Sequence, residues 1–440
     1  MISPRRPRRR AKDGSQPMPL LRPSTEREAD GNVEAPTAAR SLEPRPNCRK
    51  NRRRPDPRTE TSSATGYHRG MIPDSPTAAN RLLMDYRREA IDLGRPIVPI
   101  IDAHTHINGT EAASLFAEVM DLFGIEAVWS MTALDEVEHV REALGGRFEP
   151  IAVPDFRDPD RRAAHGDGYL QRIKAYHAKG ARIAKFWSAP RIVDFGEEAG
   201  DPAMLRLDGP IRRAGMQLAT DLGMAIMIHV ADPDTWFATK YSDQSKYGDK
   251  RSQYEPLEAV VADYPVPFIA AHMGGWPEDL DFLDGLLSRH PNLHLDSSAT
   301  KWIIRELSRH EPVDLISFLQ RHRGRILFGS DIVTLDEHLR VAKEDEGNVM
   351  AAKAGSRDDA FDLYASRYWS LRRLWESDHD GESPIADPDL AMVDPDRFEP
   401  LDAPRLRGMS LPPSELRTLY REAAIGFAES IPTDGRPSKA

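Results

Sequence analysis

Eight short apolar runs recur along the chain, most of them separated by segments long enough to be helices. They are "PIVPIIDAH", "EAVWSMT", "FEPIAVPDF", "ARIAKFW", "MAIMIHV", "PFIAAHM", "LHLDSSA" and "RILFGSD". A strand covered on both faces of a parallel sheet reads as a near-continuous apolar run, and regular strand–helix alternation leads to such a sheet. Among the helical segments "GPIRRAGMQLATDLG" is the clearest, with Pro210 near its start and Ile211, Ala214, Leu218 and Leu222 predicted as its apolar stripe. "LDFLDGLLSRHP" and "VDLISFLQRHRG" behave likewise. Eight strand–helix units predict an α/β protein of the (β/α)8 TIM barrel class. A doubly wound open sheet is the alternative, but no glycine-rich phosphate loop follows the first run, so a dinucleotide site lacks its signature.

The spacing predicts a leading amphipathic helix over 78–94, the barrel over 97–335, and closing helices and loops over 336–440, together one folded domain over 71–440. In "SELRTLYREAAIGFA", residues Leu416, Leu419, Tyr420, Ala423 and Phe427 share one helical face. Residues 1–70 are different, with 17 Arg and Lys against 8 Asp and Glu, 10 prolines and almost no apolar periodicity. Such a stretch buries too little surface to offset chain entropy, and a disordered basic extension is expected there, with Met71 a plausible start of the folded chain. Its arginines are not followed by an apolar stretch, which argues against a twin-arginine signal.

Composition narrows the partners. The net charge of −10 gives no global reason to expect nucleic acid, and Cys48, the lone cysteine, precludes a disulfide within the chain. No run of 18 apolar residues exists, so no membrane span is expected and a cytoplasmic protein is predicted.

Polar residues that end buried strands are the informative ones, because unpaired charge there is costly. His104 and His106 end the first run, His229 the fifth, His272 the sixth and Asp331 the eighth, while Lys185 lies within the fourth. Residues two apart on a strand share a face, so His104 and His106 point the same way. In a barrel the carboxyl ends of all strands meet on the face where active sites are built. Imidazole nitrogen with carboxylate oxygen suits a divalent metal, with Zn2+ the first expectation and Mn2+, Fe2+ or Ni2+ the alternatives. Around the mouth, Trp187 and Arg191 follow the fourth run, Asp232 and Trp236 the fifth, Trp276 the sixth and Trp302 the seventh. Trp187, Arg191, Asp232 and Trp276 are the expected substrate contacts, the aromatics suiting a flat organic body and Arg191 a carboxylate. The segment "TKYSDQSKYGDKRSQYEP" after the fifth run is a candidate lid.

"IDAHTHI", "IHVADP", "AHMGG" with "RHPNLHLDSSA", and "ILFGSD" resemble, in order, the amidohydrolase superfamily, and within it the amidohydrolase-related group that includes aminocarboxymuconate-semialdehyde decarboxylase. The resemblance implies that His104, His106, His229 and Asp331 hold the metal, and that His272 is a second-metal ligand or a catalytic acid–base. It leaves Lys185 either as a carbamylated bridge between two ions, as a cation facing an anionic substrate, or in a structural ion pair. It also implies that barrels of this kind can pair as homodimers. The expected reaction is hydrolysis of a C–N or C–O bond next to a carbonyl by metal-activated water, with Asp331 moving the proton and His272 stabilising the oxyanion. The alternative is a lyase, a non-oxidative decarboxylase or hydratase acting on a small carboxylic acid. Either way the partner is a small organic carboxylate or carbonyl compound.

Overall fold

The structure is a computed structural model that describes residues 75–341 and 353–432. The extension expected over 1–70 lies outside the described residues. All eight apolar runs form strands: β1 (Ile100–Ile107), β2 (Ile125–Ser130), β3 (Phe148–Ala152), β4 (Ile183–Trp187), β5 (Ala225–His229), β6 (Phe268–Ala270), β7 (Leu293–Asp296), and an eighth run divided into β8 (Ile326–Leu327) and β9 (Ile332–Thr334).

Every neighbour in the order β8-β7-β6-β5-β4-β3-β2-β1-β9 is parallel. The divided eighth run closes the sheet into a barrel. β8 pairs with β7 while β9 pairs with β1, and the turn between them bonds to β1, Ala103 N–H donating to Phe328 O at 2.9 Å and Asp331 N–H to His104 O at 2.8 Å. Asp331 takes the left-handed conformation at φ +60°, a costly backbone for a non-glycine residue, and this kink divides the run. Val128, Ile151, Ala184, Ile226, Ile269, Leu295 and Leu327, one from each of seven strands, are buried in a core that continues into the surrounding helices.

Two local expectations are corrected. The leading helix spans Tyr86–Leu93 rather than starting at 78, because Asp85 caps it by accepting from Arg88 N–H, and Asn80 binds the backbone of Met84 on both its amide atoms. The helix at Pro210–Asp221 buries Arg212, Gly215, Met216 and Ala219 rather than the Ile211 stripe. The Arg212 guanidinium reaches inward to Trp187 O at 2.9 Å, which turns that face to the barrel.

A long helix, Arg357–Glu376, packs across the closure, and the face predicted for Leu416, Leu419, Tyr420, Ala423 and Phe427 is buried. Asp102 ties these parts together. Its carboxylate accepts from Ser330 N–H at 3.0 Å, Ser330 Oγ at 2.5 Å and Tyr368 OH at 2.8 Å. Burial raises its pKa to about 7 against those bonds. The closing segment also carries an antiparallel pair, β10 (Asp380–Glu382) with β11 (Arg405–Arg407), and a short helix, Asp389–Val393. Among the described residues no helix is long and apolar enough to cross a membrane.

Candidate metal centre

Alternation along β1 places Asp102, His104 and His106 on one face, and the kink at Asp331 brings the eighth-strand carboxylate over them. His106 Nε2 lies 3.2 Å and His104 Nε2 3.5 Å from Asp331 Oδ1. The donor atoms of His104, His106 and Asp331 all fall within 4.8 Å of one another, as do those of His104, His272 and Asp296. His106 and Asp331 remain partly open, with side chains 35% and 30% exposed, whereas His104 is buried.

Each of the deeper imidazoles commits its outer nitrogen to a fixed partner. His104 Nδ1 lies 2.8 Å from Asp296 Oδ2, His229 Nε2 2.8 Å from Asp232 Oδ1, and His272 Nδ1 2.7 Å from Ser298 Oγ. The two carboxylates can only accept, and Ser298 Oγ uses its hydrogen on Asp296 Oδ1, so all three outer nitrogens are the protonated ones. His229 Nδ1 and His272 Nε2 face each other at 3.2 Å. At that separation the two nitrogens need a positive charge between or beside them, a shared proton or a metal ion. This is the orienting pattern that metal-binding histidines use, with the far N–H held by a carboxylate or hydroxyl.

Burial, with the nearby Lys185 charge, lowers the pKa of His104, and burial followed by the His229 ring lowers that of His272. Burial opposes ionisation of Asp331, but the His106 bond and the His272 and His104 rings hold its carboxyl well below the usual range. Asp296 is held low in the same way against burial, with His104 its strongest partner. Lys185 Nζ is buried without a hydrogen-bond partner, and burial lowers its pKa to about 8 against the pull of Asp296 and Asp331.

The remaining expected residues divide. Trp187 stands at the end of β4 with its ring 6.2 Å from His229. Asp232 has both carboxylate oxygens occupied within the protein, by His229 and by Tyr241 OH. Arg191 is half-exposed and faces Asp194 at 3.7 Å. Trp276 packs on Tyr254 and Phe282, with ring centroids 5.7 and 4.7 Å away. The expected lid is anchored, Tyr241 holding Asp232 and Lys250 Nζ donating to Asp232 O at 2.6 Å.

Asp296 and Ser298 were not singled out in the sequence, although "LHLD" carries the same signal as "ILFGSD", an acid ending an apolar run. Trp302 is nearer the site than Trp276, its ring 5.8 Å from His272, and its indole N–H shares Asp389 Oδ2 with that of Trp236 at 2.8 and 2.9 Å.

The amidohydrolase family model matches residues 101–364, a stretch that contains every one of these strand-end donors. The chain belongs to that family. It is thus an enzyme of the amidohydrolase superfamily, and its His, His and Asp donors are suited to a divalent metal. No match was found among curated proteins. Among solved structures this amidohydrolase is similar to 2,6-dihydroxybenzoate decarboxylase from Rhizobium, at 15% identity over 62% of this chain and 99% of that one, TM-score 0.36. It is similar to dihydroorotase from Saccharomyces cerevisiae at 11% identity over 78% and 86%, TM-score 0.37. A third is 5-carboxyvanillate decarboxylase from Novosphingobium aromaticivorans, at 12% identity over 64% and 97%, TM-score 0.34.

Proposed function

We propose that this amidohydrolase is a metal-dependent hydrolase that cuts a C–N or C–O bond next to a carbonyl by attack of water at the β1 and β8 rim. The observation that supports it most is the convergence of the inner imidazole nitrogens, His229 Nδ1 and His272 Nε2, 3.2 Å apart, beside the His104, His106 and Asp331 donors. His104, His106, Asp331 and the inner nitrogen of His229 would hold the cation, and Zn2+ is the first choice for such a set. A divalent cation in that place supplies Lewis acidity, acidifying water and polarising a carbonyl oxygen.

The chain's own residues do the rest. Asp331, ionised at working pH, accepts the proton of the attacking water and returns it to the leaving group. The oxyanion-stabilising role expected for His272 would need a hydrogen on Nε2, and the Ser298 bond keeps the ring hydrogen on Nδ1. We therefore assign His272 as the acceptor that orients the attacking water. Lys185 has two readings: neutral, its amine would add CO2 with loss of a proton, and the carbamate would supply oxygen donors for metal; charged, it would face an anionic substrate.

Metal analysis with a substrate panel tests the proposal. Lactones, amides and aromatic or enol acids are scored for acid release against CO2 release in the metal-loaded protein. Acid release that stops with chelator is expected. Metal-dependent CO2 release without acid release would replace hydrolase by decarboxylase. Two equivalents of metal, falling to one in Lys185→Ala, would mark the bridge.

A further inference from the structure

A cavity of about 450 Å3 opens beside Asp331. Ser330 to Val333 form its floor, and its walls come from the start of the Thr300–Leu307 helix, the Arg357–Glu376 helix and the closing segment near Pro388. Three cations line it: Lys301, Lys353 and Arg367. Lys301 is matched by Asp389 at 3.0 Å and Asp387 at 3.5 Å.

The other two are not matched. Arg367 donates to Leu363 O at 2.8 Å and to Ser366 Oγ at 2.9 Å, both on its own helix. Among the described residues neither Lys353 nor Arg367 pairs with a carboxylate. Burial depresses both, Lys353 to about 8 with Arg367 and Lys301 adding to the effect, and Arg367 to about 10. Among the described residues Asp331 is the one acid whose charge favours the Lys353 ammonium, and it is already engaged by His104 and His106. Two half-buried cations without a counter-charge are costly in a folded chain, and a ligand anion removes that cost. Leu363, Ile332 and Ile385 supply apolar wall between them, as a cavity for a carbon-bodied acid requires.

We infer that Lys353 and Arg367 bind a carboxylate of the substrate, carried on the reacting molecule at a distance from the bond that is cut. This rests on the reading of the Asp331 rim as the reacting centre. It moves the anion-binding role expected for Arg191 to residues that follow the barrel, Lys353 and, on the Arg357–Glu376 helix, Arg367.

Phthalate and the neutral phthalamide serve as probes, with binding to the full-length protein measured by calorimetry both metal-loaded and after chelation. The wild type is expected to prefer phthalate, and Lys353→Gln to weaken phthalate by about tenfold while leaving phthalamide unchanged, with Lys353→Arg restoring most of the loss. Arg367→Gln should lose at least as much. The preference should persist in chelated protein, so a hydrolase reading that fails for want of metal leaves this one standing. Equal binding of the two probes, a loss in Lys353→Gln no larger than in Arg191→Gln, or a preference that vanishes with the metal would each overturn it.

Discussion

Two cation-rich cavities show how differently the chain treats positive charge. In one, of about 610 Å3, Arg305, Arg309, Arg405 and Arg407 each face an acid, Arg305 the buried pair Glu306 and Asp387, Arg309 Glu306 at 3.0 Å, Arg405 Asp380, and Arg407 Glu311 at 3.3 Å, while the exposed Arg397 lies over the Phe398 ring. In the other, beside Asp331, Lys353 and Arg367 face none among the described residues. The buried Arg305 has its counter-charge from the chain itself, and the buried Arg212 is held by the carbonyls of Leu205 and Trp187. The charge missing beside Lys353 and Arg367 belongs, on the inference above, to a ligand. The same logic holds at the rim, where Asp296, Asp232 and Ser298 satisfy the outer imidazole nitrogens and the inner ones are left for a cation.

The largest effect should come from the acid that borders both the rim and the open cavity. Asp331→Asn keeps the shape but removes the charge and the proton acceptor. Turnover is expected to fall by about 10^3-fold or more, with the bound metal reduced. Steady-state kinetics and metal analysis on the same preparation check this; turnover within tenfold of wild type would remove Asp331 from the reaction.

The matched cavity should fail by unfolding instead. Arg305 is only 5% exposed, and its guanidinium is held by Glu306 and Asp387, themselves fully buried. Asp387→Ala leaves that guanidinium short of a partner, and a loss of about 3 kcal/mol is expected in urea unfolding, with Lys301 keeping Asp389. A triple change, Arg305→Met with Glu306→Met and Asp387→Leu, should recover most of it, since replacing a whole buried ion cluster by apolar groups is often nearly neutral.

How far these differences could be read from the sequence depends on which element carries the residue. The strands were legible because burial on both faces leaves an apolar run, and a His or Asp at its end stands out against that background. His104, His106, His229, His272 and Asp331 were all found this way. Asp296 gives the same signal and was passed over within a longer family-like stretch. Lys353 and Arg367 could not be found, because a charge in a helical or loop segment reads as solvated surface. Nothing local reveals that the Arg357–Glu376 helix is covered on nearly every side. The Pro210–Asp221 helix misled for the same reason: an inward arginine, Arg212, defeats an apolar-stripe reading.

A third way of handling charge is to give it up. His165 is buried, both ring nitrogens lack partners, and its neighbours include Arg212 and Arg161. Burial, then those charges, lower its pKa to about 3 from the usual 6.5. A histidine depressed in the folded state contributes stability that is present above the unfolded pKa and lost as pH falls below it, because only the unfolded chain takes the proton. Between pH 7 and pH 5 the expected loss from this residue is about 2 kcal/mol. His165→Phe should flatten that limb of the stability–pH curve measured by urea unfolding. An unchanged limb would show that His165 is protonated, or hydrated, in the folded protein.

The smallest effect on stability, and the sharpest contrast with Asp387, is expected at Lys353. Its charge has no paired carboxylate among the described residues, so Lys353→Gln breaks no ion pair, and the repulsion it relieves with Arg367 and Lys301 outweighs the attraction to Asp331 that it loses. The variant should melt level with wild type or gain up to about 1 kcal/mol in buffer. Added phthalate should reverse the order. A ligand at a hundred times its dissociation constant stabilises the protein that binds it by about 2.7 kcal/mol, so wild type should then melt above a variant whose affinity has dropped. A crossing of the two melting curves as phthalate is raised is therefore the signature of a charge kept for a ligand. Parallel curves would place Lys353 with the structural cations, its partner being one the chain itself provides.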